Sequence, residues 1–194
     1  MNLHAHPEFD LMPPAFVEGL DDWSCADGTP ESPTWDGADN ARLARGDKDF
    51  GTCLEIRIAS PVESIRYMGE LPVRSGSFIE VSARVKAVRG PLPRVRAAAW
   101  PGGAMGRAVP GLAQLGAAID LPGHEVVGQV LLVIGPEARP GVDLVWDRRV
   151  LYAHVGVDLA GAVGGVVRIE AVGVRDVTRR FVPLGRPLPG FEDM

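Results

Sequence analysis

Several stretches of this chain alternate apolar and polar residues with a period of two. In Leu151-Tyr152-Ala153-His154-Val155-Gly156-Val157-Asp158-Leu159, the residues Leu151, Ala153, Val155, Val157 and Leu159 share one side, and Tyr152, His154 and Asp158 share the other. Ser77 to Val88 repeats the pattern, with Ile79, Val81, Ala83, Val85 and Ala87 inward and Glu80, Ser82, Arg84 and Lys86 outward. Successive side chains of a strand point to opposite faces, so such runs are strands with one face on a core and one in water. No stretch of similar length keeps a helical period. The pattern predicts an all-β, antiparallel β-sandwich.

Strands are expected near Asp22–Cys25, Ala41–Arg45, Thr52–Ala59, Ser64–Gly69, Ser77–Val88, Arg94–Trp100, Ala117–Leu121, Val126–Ile134, Asp143–Trp146, Leu151–Leu159 and Gly165–Val177. Val126 to Ile134 is almost wholly apolar and reads as a central strand covered on both faces. Gly111 to Ala118 reads as a short helical turn. The predicted core comprises Ile79, Val81, Val85, Val95, Leu131, Val133, Val155, Val157 and Ile169. The 24 glycines and 17 prolines suit many short strands joined by turns. At 194 residues and 46% hydrophobic content, one domain with a full core is expected. It is taken as 15–181, between an N-terminal arm, 1–14, and a Pro-rich C-terminal arm, 182–194, containing Pro183, Pro187 and Pro189.

Charge is unevenly spread. Residues 1–41 hold no Lys or Arg but contain Glu8, Asp10, Glu18, Asp21, Asp22, Asp27, Glu31, Asp36 and Asp39. Although the whole chain is at −5, the remainder is therefore mildly basic, and Lys48 and Lys86 are its only lysines. An arginine fork suits carboxylate or phosphate, while a GC-rich genome would enrich arginine without any function. The absence of a basic stripe with interleaved aromatics argues against nucleic-acid binding. Met1 to Asp10 lacks the positive n-region of a secretory signal, and no segment approaches the ~20 apolar residues of a membrane span. The chain is thus expected to be made in the cytoplasm without a signal peptide. Cys25 and Cys53 are its only cysteines, read as two reduced thiols with one bridge as the alternative.

Phe16-Val17-Glu18-Gly19-Leu20-Asp21-Asp22-Trp23-Ser24 and Val167-Arg168-Ile169-Glu170-Ala171-Val172-Gly173-Val174-Arg175-Asp176-Val177 lie at the two ends of a long run of short strands. In this the chain resembles the carbohydrate-binding modules with a jelly-roll (galactose-binding-like) fold. Many of these open on Gly-x-x-x-Trp and close on Ile-acid-acid-Val. The resemblance implies a jelly roll over about residues 16 to 178 and a polysaccharide ligand. It also implies a structural calcium between the two ends, but Ala171 stands where the second acid would be. No cofactor is therefore expected. Such modules also occur in the spikes and fibres of phage-like particles, which would suit a component of a released particle.

Chemistry-bearing motifs are sparse. His4-Ala5-His6 has no third ligand nearby, and none of the four histidines stands beside a Ser or Cys nucleophile motif. No catalytic and no metal-binding residue is assigned. Sugars are held by aromatic rings against their C–H faces and by polar groups on their hydroxyls. Tyr152, His154 and Asp158 project from one face of one strand; Arg94, Arg96 and Trp100 project from another, with Val95, Ala97 and Ala99 inward. Trp146 and Tyr67 are further aromatic candidates. The same residues would equally suit a subunit interface.

Two readings stay open. One is a non-catalytic attachment domain for a cell-surface polysaccharide, such as an acidic capsule, bound by Arg94, Arg96, Trp100, Trp146, Tyr152, His154 and Asp158. The other is a structural subunit of a larger assembly, such as a head spike or fibre base, tied to other subunits by both arms.

Overall fold

The computed structural model describes residue 13 and residues 15–24, 40–73, 76–103 and 114–182. Both predicted arms fall outside these apart from residues 13 and 182, as do His4, His6, Cys25 and Trp35. The strands are β1 (Trp23–Ser24), β2 (Ala41–Asp47), β3 (Gly51–Arg57), β4 (Val62–Tyr67), β5 (Leu71–Pro72), β6 (Ile79–Arg89), β7 (Arg94–Gly102), β8 (Gln114–Leu115), β9 (Ile119–Asp120), β10 (Gly128–Gly135), β11 (Leu144–Val145), β12 (Tyr152–Ala160) and β13 (Val166–Asp176). A 3-10 turn at Phe16–Glu18 and a one-turn helix α1 at Thr178–Phe181 are the helical pieces among the described residues.

Two sheets result, and they form a β-sandwich. The first runs β11-β10-β6-β13-β3-β2; the second runs β1-β4-β12-β7-β8, with β5 also on β12 and β9 also on β7. The described strand pairs are antiparallel except β10 with β11, which is parallel. Alternation explains the layering. Val81, Val85, Val167, Ile169 and Leu132 of the first sheet meet Val95, Ala97, Val155, Val157 and Leu159 of the second in one core. Trp23 closes one end of it, with Phe16 and Tyr67 at ring separations of 4.5 and 5.6 Å. Burying such side chains stabilises by about 1.5–3 kcal/mol each, before chain entropy is charged against it.

Several expectations are corrected. β10 is not a strand covered on both faces: it pairs with β6 in a register that sets Leu131 opposite Ser82, and Leu131 is 44% exposed. Val133 also faces outward, and is buried in a separate small cluster with Phe78 and Val177, beneath Phe181 of α1. Leu151 precedes its strand and is exposed rather than inward. Within Gly111–Ala118, Gln114 and Leu115 form the short strand β8, and none of the described residues there is helical. Cys53 is buried as a free thiol, and its surroundings push its pKa up, chiefly through burial.

The outer face of the first sheet is a network of ion pairs. Lys86 is fully buried, and its Nζ lies 2.8 Å from Asp47 Oδ2, 2.8 Å from Asp49 Oδ2 and 3.0 Å from Glu125 Oε2. Arg168 joins Asp47 to Glu55, and Arg42 completes the chain on Glu55. Burial alone would lower the Lys86 pKa, but hydrogen bonds to these three carboxylates hold it above the usual lysine range. Asp47 is likewise held well below the carboxylate range, because bonds from Lys86, the Asp49 amide and Arg168 outweigh its burial.

Candidate functional site

The outer face of the second sheet differs in kind. The register of β12 with β7 sets His154 opposite Trp100, Gly156 opposite Ala98 and Asp158 opposite Arg96. On the other flank, β4 sets Arg66 beside Gly156 and Ser64 beside Asp158. Three rings therefore lie together across two adjacent strands. Tyr152 and His154 meet edge to face at 5.6 Å, and Trp100 is the direct neighbour of His154. All three are partly exposed.

The floor between them is built from small residues. A side chain at Gly156 would stand 1.8 Å from the Ile65 carbonyl oxygen, so β12 and β4 approach too closely there for anything but glycine. The Tyr152 ring lies over Gly102, where a Cβ would fall 2.2 Å from Tyr152 Cζ. Ala98 completes the low centre. Arg66, buried on β4, extends across β12 over Gly156 until its guanidinium lies 5.8 Å from the Trp100 ring centroid. A cation against an indole face is attractive and fixes the ring's position.

Polar groups are fixed around this floor. Asp158 is nearly fully buried; it accepts from Ser64 Oγ at 3.0 Å and from Arg96 Nε at 2.7 Å. His154 Nδ1 is 3.1 Å from the Gly69 carbonyl oxygen. Burial first, and then the charge of Arg66, lower the His154 pKa, which favours the neutral ring at pH 7.

The sequence-predicted residues divide accordingly. Trp100, Tyr152 and His154 come together on this face, and Arg96 and Asp158 lie beside them as a pair. Arg94 sits at the far end of β7, beyond Arg96, in an exposed pair with Asp120 at 3.2 Å. Trp146 does not belong to the face: it is 8% exposed and packs into the core. Tyr67 turns inward onto Trp23. Arg66, which sequence reasoning passed over, is central. Its signal was present in Ser64-Ile65-Arg66-Tyr67-Met68, whose alternation sends Ser64 and Arg66 outward once Ile65 is assigned to the core. Among the described residues, no three His, Cys, Asp or Glu side chains are grouped to hold a metal ion. No described helix is long and apolar enough to cross a membrane.

No protein-family model matches the sequence, and no curated protein matches it. Solved structures do. The CBM22-1 xylan-binding domain of Paenibacillus barcinonensis Xyn10C superimposes over 88% of this chain and 96% of its own, with a TM-score of 0.59 at 12% identity. TmCBM61, solved in complex with β-1,4-galactotriose, matches over 84% and 94%, with a TM-score of 0.51 at 9% identity. The chain has the fold of carbohydrate-binding modules. The enzymatically active domain of tailspike protein 4 from bacteriophage CBA120 contains a similar part, covering 84% of this chain and 21% of that one, with a TM-score of 0.51 at 12% identity. The carbohydrate-binding-module-like jelly roll implied by the sequence at both chain ends is thus its fold.

Proposed function

We propose that this domain is a non-catalytic carbohydrate-binding module that holds a polysaccharide chain along the outer face of β4, β12 and β7. The observation that carries this reading is the row Trp100–His154–Tyr152, partly exposed beside the buried Arg66 that covers Gly156. Rings of this kind offer flat apolar surface to sugar C–H faces. The small residues Gly156 and Ala98 make room for the Arg66 side chain, which lies low across the sheet beside Trp100 and keeps the rings as its raised, accessible features.

Within this reading Arg96 acts differently from a free acid-binder. Arg96 is already neutralised by Asp158, so it offers its remaining N–H groups to hydroxyls rather than its charge to a carboxylate. The face therefore suits a neutral chain, and the acidic-capsule expectation is not proposed for it. The likeness to modules described as binding xylan and galactotriose supports a neutral β-linked ligand class.

The test is a titration of the purified chain with xylohexaose and with β-1,4-galactotriose. Binding to at least one is expected, and Trp100→Ala and Tyr152→Ala should each weaken it by about 1–3 kcal/mol. Binding unchanged in both variants would refute the site.

A second reading, a structural subunit of a spike-like assembly, is favoured by Val126 and Leu131. These are 46% and 44% exposed on and beside β10, on the opposite sheet. Light scattering decides it: an oligomer disrupted by Leu131→Lys supports this reading, and a monomer at all concentrations rejects it.

A further inference from the structure

Groups able to recognise an acid lie away from the aromatic face, at one end of the outer surface of the first sheet. There, a shallow pocket of about 220 Å³ is lined by Asn40, Ala41, Arg42, Glu55, Arg57, Arg89 and Val166. Its construction follows from the register. Val166 of β13 is the partner of Arg57 on β3 and of Arg89 on β6, so the two arginines flank one apolar residue from either side. Their backbones are two strand spacings, or about 10 Å, apart. Two arginine side chains rising from those positions can converge on one group above Val166.

The charges are not spent. Glu55, the acid in the lining, accepts from Arg42 on one oxygen and from Arg168 on the other, so it is neutralised from within. Among the described residues, the guanidinium groups of Arg57 and Arg89 make no ion pair, and both residues are exposed. Asn40 is held by its own amide, which donates to Glu63 Oε1 and to the Arg57 carbonyl oxygen. The pocket thus combines two free, planar forks with a third arginine on its rim and an apolar floor at Val166. Guanidinium forks match carboxylates in geometry as well as charge. The apolar floor matches the C–H face of a sugar ring, which inorganic anions lack.

We propose that this pocket is a second binding site, separate from the aromatic face, and that it takes a carboxylate-bearing sugar residue of an acidic polysaccharide. Arg57 and Arg89 hold the carboxylate, and Val166 lies under the ring. The site does not depend on the aromatic face being a ligand site, since the two lie on opposite sheets.

The experiment is calorimetry and NMR titration of the chain with trigalacturonate, with xylohexaose and inorganic phosphate as controls. Trigalacturonate should perturb the amides of Arg57, Arg89 and Val166, and its affinity should fall at least tenfold in Arg57→Gln/Arg89→Gln. Because the pair is exposed, affinity should also fall as salt rises. Trp100→Ala should leave trigalacturonate binding unchanged, and the double variant should leave any xylohexaose binding unchanged. Phosphate binding as tightly as trigalacturonate would overturn the sugar assignment. Trigalacturonate failing to bind, or binding equally well to a double variant with a native far-UV spectrum, would overturn the site. Xylohexaose binding through Trp100 without trigalacturonate binding would sink this proposal alone. The reverse result would sink the aromatic-face reading alone.

Discussion

The two outer faces of this sandwich are written in the same alternating code and do opposite things. On the first sheet, the outward residues Glu55, Lys86 and Arg168 and the buried Asp47 satisfy one another, leaving little for a ligand along most of the face. On the second sheet, the outward residues Trp100, His154 and Tyr152 remain partly exposed and leave ring surface open beside the buried Arg66. A polar outer face is therefore not by itself a binding face. What distinguishes them is whether the outward groups are consumed by each other.

The largest expected effect breaks the first face. Lys86→Met removes the buried ammonium and leaves Asp47, Asp49 and Glu125 facing one another, so stability should fall by about 3–5 kcal/mol in denaturant melts. Xylohexaose affinity of the folded fraction should stay at the wild-type value. A change in affinity as large as the change in stability would show that the faces are not independent.

Next is Asp158→Asn, on the second face. It weakens the buried acceptor of Ser64 Oγ and Arg96 Nε, which should cost about 1–3 kcal/mol of stability. It also frees the charge of Arg96. The variant should gain affinity for trigalacturonate at the aromatic face, seen as new amide shifts at Trp100 that the wild type lacks.

Smaller still is the response to acid, which separates the faces by pH. Asp47 has a folded pKa below its ordinary value, so its contribution is complete above the unfolded carboxylate range and is lost as pH falls through and below about 4. His154 also has a lowered pKa. Its neutral form favours the fold, and the unfolded chain takes up the proton first, so stability declines as pH falls below about 6.5. His154→Gln should remove the decline between pH 7 and 5 and leave the one below pH 4. Urea melts at pH 7, 5.5 and 3.5 distinguish the two steps.

Much of this was legible in the sequence, for a physical reason. A strand longer than about six residues states which face is buried, so β6, β7, β12 and β13 were readable, and so were Trp100, Tyr152 and His154. Two-residue strands such as β5 and β8 hold too little alternation to be seen. Trp146 follows one of them, β11, and nothing local says that it faces the core. Leu131 misleads because an apolar run carries no facing information, and here its sheet register decides the matter. The pocket of Arg42, Arg57, Arg89 and Val166 joins the β2–β3 hairpin to β6 and β13, which are distant from it and from each other in sequence, so only the pairing of β3, β6 and β13 reveals it.

The central claim is that the open rings of the second sheet, and not the ion-paired face of the first, hold a neutral polysaccharide. An NMR titration of the labelled chain with xylohexaose tests it most directly, with β-1,4-galactotriose as the second ligand. The account predicts that amide shifts cluster on Trp100, Tyr152, His154 and Gly156 and disappear in Trp100→Ala, whose fold is unchanged. Shifts confined to Lys86, Arg168 and their neighbours, or no shifts with either ligand, would contradict it.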